Sequence, residues 1–472
     1  MNRIQRSLLK VAGLSWLVDA ANFRERLQRP YEILTTGSIP QEINLSDLQM
    51  LISDSRKLYC NLGPLKAAID DKAMYSVGRA WSAKSRAKDR TWAKKAEKWI
   101  NEQWYPMADA RGNMFDFKTD LFLASVSIDR DGEIFILLTE SEDGWPQIQL
   151  LPTTMIGQRG TTDGERLKSG PYAGLRMIQG VVFNEVGRAV AFQVLGTQES
   201  EDQFYSARDV IQIFDPQWAD QVHGFPAFMH ALLDLKDLRT MQGYERIAAM
   251  LASSVGLIEN NELGAPDASD PSTILDKGKA FIGPSMPDVI TKQETGVTTR
   301  FFRAGSGGSL TQLKSERPGD AVDRFMNRLI RNGCAGANWP YELTWDSSLL
   351  GGANIRLVVA KAMRSVEDRQ DLLRPVARRI VGYATAKAIK KGLLEDNEEW
   401  YAWDFGMPAR MTTDYGRDAN ADREDYAAGL TTLTEILDEQ GRDLDQFIEE
   451  KKAEQQKLRD AGLADSEEDP TQ

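Results

Sequence analysis

Three helical runs with a β-like insertion between the first two constrain this chain more than any single motif. Phe228, Ala231, Leu232, Leu235, Leu238, Met241, Tyr244, Ile247, Ala248 and Leu251 return at helical spacing, and Pro226 suits a first turn. The spacing predicts a helix from Pro226 to about residue 254, roughly 40 Å at 1.5 Å per residue. A second run, with Val322, Phe325, Met326 and Leu329 on one side, predicts a helix from near Pro318 to about Gly333. Between them, residues 256–315 are punctuated by Gly, Pro, Asp and Ser, with strand-like pieces at 280–282 and 297–302. That stretch reads as a small β-containing insertion. The third helix is expected from about Ile355 to Lys391 with Pro375 inside it, where the lost N–H and the bulk of the ring should bend it.

The N-terminal half reads as a mixed α+β body over residues 1–215. Residues 60–105 have helical periodicity through Leu65, Ala68, Ile69, Met74 and Val77, then again from Thr91 to Trp104. A further helix is expected over 115–126. Strands are expected at 133–139, 147–151, 177–183, 188–195 and 209–214, with Asn184-Glu185-Val186-Gly187 as a hairpin turn. After the long helix come a helical stretch at 419–429 and an acidic helical segment with Gly441 as a stop. The final ADSEEDPTQ is too polar to build a core. No internal repeats occur.

Charge is uneven. The formal net charge is −12, yet residues 395–472 hold 23 acidic and 8 basic side chains, so the first 394 residues carry about +3. No sequence-wide basic footprint for duplex DNA exists. No apolar run reaches the roughly 18–20 residues that span a bilayer, so no membrane role is expected. The opening MNRIQRSLLKVAGLSWLVDAANF lacks the long apolar core and cleavage site of a signal peptide and reads as a helix or arm. Two distant cysteines, Cys60 and Cys334, allow no disulfide framework and no CxxC metal pair, which fits synthesis in a reducing compartment.

Catalytic signatures are missing. There is no GxxxxGK[ST] loop; DKGKAF lacks the upstream glycine and the hydroxyl. No GxSxG elbow occurs. His223 and His230, the two histidines, make a poor zinc site without a carboxylate cluster. The GSGGS of residues 305–309 does not lie between strand and helix with dinucleotide spacing and reads as a flexible connector. No enzyme activity, metal or cofactor is expected. The 11 tryptophans, among them Trp99, Trp104, Trp145, Trp218, Trp339, Trp345, Trp400 and Trp403, suit buried packing or subunit contacts.

Several separated strings resemble the lambda-type phage portal family. Gly224, Pro226, Leu232, Tyr244, Glu245, Ala248 and Ala249 match the segment leading into the family's first stem helix. Pro340, Tyr341, Glu342, Leu343, Asp346 and Asn354 match the family's tunnel loop, and Gly429-Leu430-Thr431-Thr432 matches the step before its acidic C-terminal helix. Many members carry Asn-Tyr-Ser-Ser-x-Arg after the tunnel loop; here Gly351-Gly352-Ala353-Asn354-Ile355-Arg356 stands there, without the two serines. The resemblance covers residues 60–462.

The resemblance implies an α+β portal fold in a ring-forming homo-oligomer of about twelve subunits. Residues 1–59 would be an N-terminal arm, 60–225 and 358–414 the wing, 226–255 and 316–335 the two-helix stem, and 256–315 the clip. Residues 336–357 would carry the tunnel loop, 415–462 would form an α-helical crown, and 463–472 a disordered tail. Ser347, Ser348, Gly351, Gly352, Asn354 and Arg356 would face DNA in the tunnel. Lys236, Arg239, Arg246, Arg324, Arg328 and Arg331 would be the stem cations. The implied partners are double-stranded DNA, the large terminase subunit, a head–tail adaptor, and the major capsid and scaffold proteins. The implied location is the portal vertex of a virion assembled in the host bacterial cytoplasm. Two other classes compete. A terminase or nuclease should show a phosphate loop or a metal-binding carboxylate cluster. A capsid or tail connector subunit should lack the helix, insertion, helix, Gly-rich loop and long-helix order.

Overall fold

The computed structural model describes residues 38–461 apart from 79–80, 161, 199–200, 254–255, 262–288, 295–296, 304–307, 313–319, 346–347, 349–350, 353, 413–414 and 440–443. The chain divides into two compact units. One holds the described residues up to Leu233 and from Arg331 onward; the other is Asp234–Ile330.

Helices of the first unit begin where polar caps satisfy free backbone N–H groups. Asn44 accepts from Asp47 N at 3.0 Å and starts α1 (Leu45–Asn61). Pro64 lies in the first turn of α2 (Gly63–Ser76). Asp89 accepts from Thr91 N and Trp92 N to start α3 (Arg90–Lys98), which runs on as a wider π-type turn over Trp99–Trp104. Asp116 accepts from Thr119 N at 2.7 Å to start α4 (Phe117–Asp131), and Gly132 ends it at φ 94°. The helical expectation for residues 60–105 is therefore divided. Its middle holds β1 (Ser82–Ser85), which pairs antiparallel with the C-terminal β13 (Trp403–Gly406).

Two antiparallel sheets follow. One has the order β3-β2-β8, from β2 (Glu133–Glu140), β3 (Pro146–Leu151) and β8 (Val210–Phe214). The other runs in sequence order through β4 (Arg176–Ile178), β5 (Val181–Phe183), β6 (Ala189–Val194) and β7 (Gln203–Ser206). The single strand expected over 177–183 is instead a hairpin. Ile178 pairs with Val181, and Gln179 and Gly180 both have positive φ, 52° and 88°, as a two-residue turn matched to strand twist requires. The Asn184–Gly187 turn forms as expected, with Asn184 N bonded to Arg188 O.

The long helix, α7, spans Asn354–Lys390 and runs unbroken through Pro375. Its buried face repeats at three- and four-residue steps through Ala362, Val366, Leu373, Ala377, Ile380, Val381, Ala384 and Ala388. The last six of these join a core with α4, the β3-β2-β8 sheet and the aromatic cluster of Trp81, Trp92, Trp99, Trp104 and Trp403. Packing thus claims most of the tryptophans, Trp339 included; Trp218 and Trp345 stay exposed. Beyond β13 lie α8 (Tyr415–Ala427), α9 (Leu433–Glu439) and α10 (Leu444–Asp460). Thr432 and Glu435 form a reciprocal capping box at the start of α9.

The first expected helix starts later than its proline. Residues 226–231 make turn-type bonds, Met229 N to Pro226 O and Ala231 N to Phe228 O, and α5 spans Leu232–Ser253. Gly224 passes close beside Gly132, and the Ala227 N–H donates to Asp129 O rather than into a helix. In the second unit the chain forms a four-stranded sheet of order β10-β11-β9-β12. Strand β9 (Gly256–Asn261) runs parallel to β11 (Val297–Arg303) and antiparallel to β12 (Gly308–Gln312), while β10 (Val289–Glu294) pairs with β11. The strand expected at 297–302 corresponds to β11; the piece at 280–282 lies outside the described residues. Gly308 and Ser309, expected in a flexible connector, belong to β12. The return helix, α6, spans Asp320–Gly336.

Candidate functional site

The segment expected to be the tunnel loop precedes α7. Ser347 lies outside the described residues, and Ser348 is exposed. Gly351 and Gly352 are exposed, and a Cβ on either would meet nothing within 4 Å. The Gly351 carbonyl accepts from Asn354 N at 2.9 Å and Ile355 N at 3.1 Å, which starts α7. Asn354 and Arg356 are exposed in its first turn, and Leu357 beside them is 74% exposed. A cation there opposes the positive end of the helix dipole, a local cost that a nearby anion offsets. Arg356 and Arg417 both line a cleft of about 370 Å³ that also has Asp418, Thr412 and Met363 in its walls. The two guanidinium groups thus share this cleft with the Asp418 carboxylate.

The six cations expected in the stem divide by helix. On α5, Lys236 is half-buried, and Arg239 and Arg246 are exposed two turns apart. On α6, Arg324, Arg328 and Arg331 are exposed at four- and three-residue steps, so they share one face. The Arg331 guanidinium stacks over the Tyr341 ring at 4.7 Å, which ties it to the turn after α6. Apolar side chains are exposed on both helices: Tyr244 and Ile247 on α5 and Phe325 on α6.

The residues weighed for chemistry are placed for structure. His223 is buried against Glu133, and His230 lies between the Ala227 and Asn332 carbonyls, at 3.2 and 2.9 Å. Among the described residues no group of three or more His, Cys, Asp or Glu is set to hold a metal. Burial pushes the Cys334 thiol up to about 12, so it stays protonated at neutral pH, and Cys60 is exposed. Asp109 and Asp120 do form a carboxylate pair around Arg111, with Asp120 pushed up to about 9 by burial and by Asp109. Both carboxylates are sealed, at 0% and 1% side-chain exposure, out of reach of a substrate. No described helix is long and apolar enough to cross a membrane. Sequence reading missed Lys72, Asp129 and Arg369, three buried charged residues that meet beside the 225–231 turn. Single charged residues in helical runs give no sign of which partner they will meet.

A family model described as "Phage portal protein, lambda family" matches residues 34–370. No curated protein matches the chain. A chain in the virion of a native gene transfer agent particle is 13% identical, with 83% of this chain and 93% of that one covered and a TM-score of 0.44. A chain in the neck of a native gene transfer agent particle, computed with C12 symmetry, is 11% identical, with 88% and 97% covered and a TM-score of 0.45. An HK97 family phage portal protein from Corynebacterium diphtheriae is 13% identical, with 66% and 89% covered and a TM-score of 0.32.

Proposed function

This chain belongs to the lambda family of phage portal proteins, and from that premise we propose that about twelve copies close into a ring at one capsid vertex and form the channel for DNA packaging and ejection. As a portal-family member it is a structural component of the virion and not an enzyme. The observation that carries the reading is the reach of the family match, which runs from residue 34 to residue 370 and so takes in α1, both sheets, α5, the 256–315 insertion, α6 and the first half of α7.

In this reading residues 60–225 and 358–414 form the wing, and the helices within 226–255 and 316–335 form the stem. Residues 256–315 form the clip, which docks the large terminase subunit and then the head–tail adaptor. Residues 345–356 reach into the tunnel, residues 415–462 form the crown, and the outer surface meets the capsid and scaffold proteins. Ring closure needs two different faces that meet around the axis. The exposed Tyr244, Ile247 and Phe325 suit such faces, since aromatic and apolar side chains are enriched where subunits meet. A channel through which DNA slides must not grip it, because each neutralised phosphate tightens and salt-sensitises binding. A body of about +3, with the net negative charge carried by the C-terminal segment, fits passage better than a strongly basic one.

Deletion of the gene tests this. Capsids assembled without the chain should hold no DNA, and supply of the chain in trans should restore filling. DNA-filled capsids in its absence would exclude the channel role.

A further inference from the structure

Asp129, near the end of α4, is 6% exposed, and its Oδ1 atom receives two cations. Arg369 Nη2 donates at 2.7 Å and Lys72 Nζ at 3.3 Å. Each cation has a second anchor: Arg369 Nη1 donates to Ser125 O at 2.7 Å, and Lys72 Nζ donates to Ala337 O at 3.0 Å. The backbone carbonyl of Asp129 accepts from Ala227 N at 2.8 Å. Five segments therefore converge on one residue: α2, α4, the turn that leads into α5, the turn that follows α6, and the middle of α7.

A buried ion cluster is a weak source of stability, because desolvation consumes most of the Coulomb gain. What it does well is specify which segments meet, since any partner left alone in the interior is costly. This cluster also has room beside it. A polar cavity of about 210 Å³ adjoins it, with Asp215, Asp368, Asn338 and Ser365 among its walls. Asp129 Oδ2 and Ser365 Oγ are buried without a partner in the protein. Burial lowers the pKa of Lys72, while Asp129 and, more weakly, Asp215 act to raise it, so Lys72 already feels a second carboxylate. Two cations share one oxygen of Asp129, and two further carboxylates border the same cavity.

We propose that Lys72, Asp129 and Arg369 form a mechanical coupling that ties the helix behind the tunnel-loop segment to the two chain segments leading into and out of residues 234–330. Asp215 and Asp368 give the cations an alternative set of partners across the cavity. The three are positioning residues: they touch no DNA and act through the segments they hold. What the coupling serves, control of the channel from the wing, rests on the portal reading; the contacts themselves do not.

Amide hydrogen exchange on the purified full-length chain, without DNA, terminase or capsid, tests the coupling separately from that reading. In Asp129→Asn, exchange should rise by about tenfold or more together in peptides covering 225–231, 333–340 and 354–362. Ser365→Val removes a buried hydroxyl that has no partner, adds apolar bulk at the cavity wall and leaves the ion contacts in place, so it should slow the same three segments together. Should Asp129→Asn fail to fold, the Ser365→Val arm still decides. A response confined to residues around 72 and 125–130, or three segments that respond independently, would overturn the proposal and leave an ordinary buried salt bridge.

Discussion

Glu133 and His223 form a pair sealed inside the fold: Oε1 of Glu133 lies 2.6 Å from Nδ1 of His223, and the side chains are 0% and 2% exposed. The other ring nitrogen, Nε2, lies 2.9 Å from the Gln179 carbonyl oxygen. With acceptors on both sides, the ring satisfies both only as a double donor, the imidazolium. Glu133 Oε2 accepts from Gln212 Nε2 at 2.7 Å and from Gly224 N at 3.2 Å. The pair thus fastens the start of β2, the β4–β5 hairpin tip and the chain that leads into α5.

Stability should therefore depend on the charge of His223. Burial by itself lowers its pKa, but the Glu133 charge and hydrogen bond, the Gln179 carbonyl and the more distant Asp163 outweigh burial and raise it above its usual 6.5. A folded-state pKa above the unfolded one gives stability that is whole below the unfolded value and lost as pH rises through the folded value. The thermal midpoint of the wild type should exceed that of His223→Gln below about pH 6.5, and the gap should narrow as pH rises through the folded pKa. Parallel pH profiles for the two proteins would contradict this.

Gly224 and Gly132 pass back to back. A Cβ on Gly224 would lie 1.9 Å from the Gly132 carbonyl oxygen and 2.7 Å from Phe214 Cβ. Gly224→Ala should cost about 3 kcal/mol or more, since backbone on one side cannot yield cheaply. Gly351→Ala, with nothing within 4 Å, should change stability by no more than about 0.5 kcal/mol. Denaturant unfolding of the two variants checks the contrast; equal effects would show that the close passage does not constrain the fold.

The tunnel-loop assignment predicts a separation of phenotypes. Gly351→Pro with Gly352→Pro stiffens a segment whose glycines have open space around them. Assembly should persist while packaging or retention of full-length DNA falls, measured by the length of DNA protected in particles. Normal packaging would leave the segment a plain connector between α6 and α7.

The clip assignment predicts loss of motor docking when residues 270–295 are removed. That deletion takes out β10, which among the described residues is an edge strand paired with β11, and spares β9, β11 and β12. The first unit should keep its far-ultraviolet signature while binding of the large terminase subunit disappears. Undiminished binding would place the motor contact elsewhere.

What could be read from the sequence follows the range of the forces involved. The helices α5, α6 and α7 announce themselves through local 3.6-residue periodicity, and the strands of the β3-β2-β8 sheet through short apolar runs. The β1–β13 pair escaped because its two four-residue strands, SAKS and WDFG, lie at opposite ends of the unit and carry no shared pattern. The β4–β5 hairpin escaped because Gln179, with φ 52°, stands where Asn or Asp would have signalled the turn. Pro226 suggested a helix start six residues early; residues 226–231 make turn-type bonds instead, and the Ala227 N–H is taken by Asp129 O, a partner visible only in three dimensions. The assignment of residues to the channel rests on family resemblance, since small polar and glycine residues have no local signal of their own. The Lys72–Asp129–Arg369 and Glu133–His223 contacts join residues 57 to 240 positions apart, beyond any periodic reading.

Electron microscopy of the purified full-length chain tests the central claim most directly. Class averages should show closed rings of about twelve subunits with a central hole wide enough for duplex DNA. A chain that stays monomeric or dimeric at every concentration and salt tested, with or without scaffold or capsid protein, would contradict the ring and the channel with it.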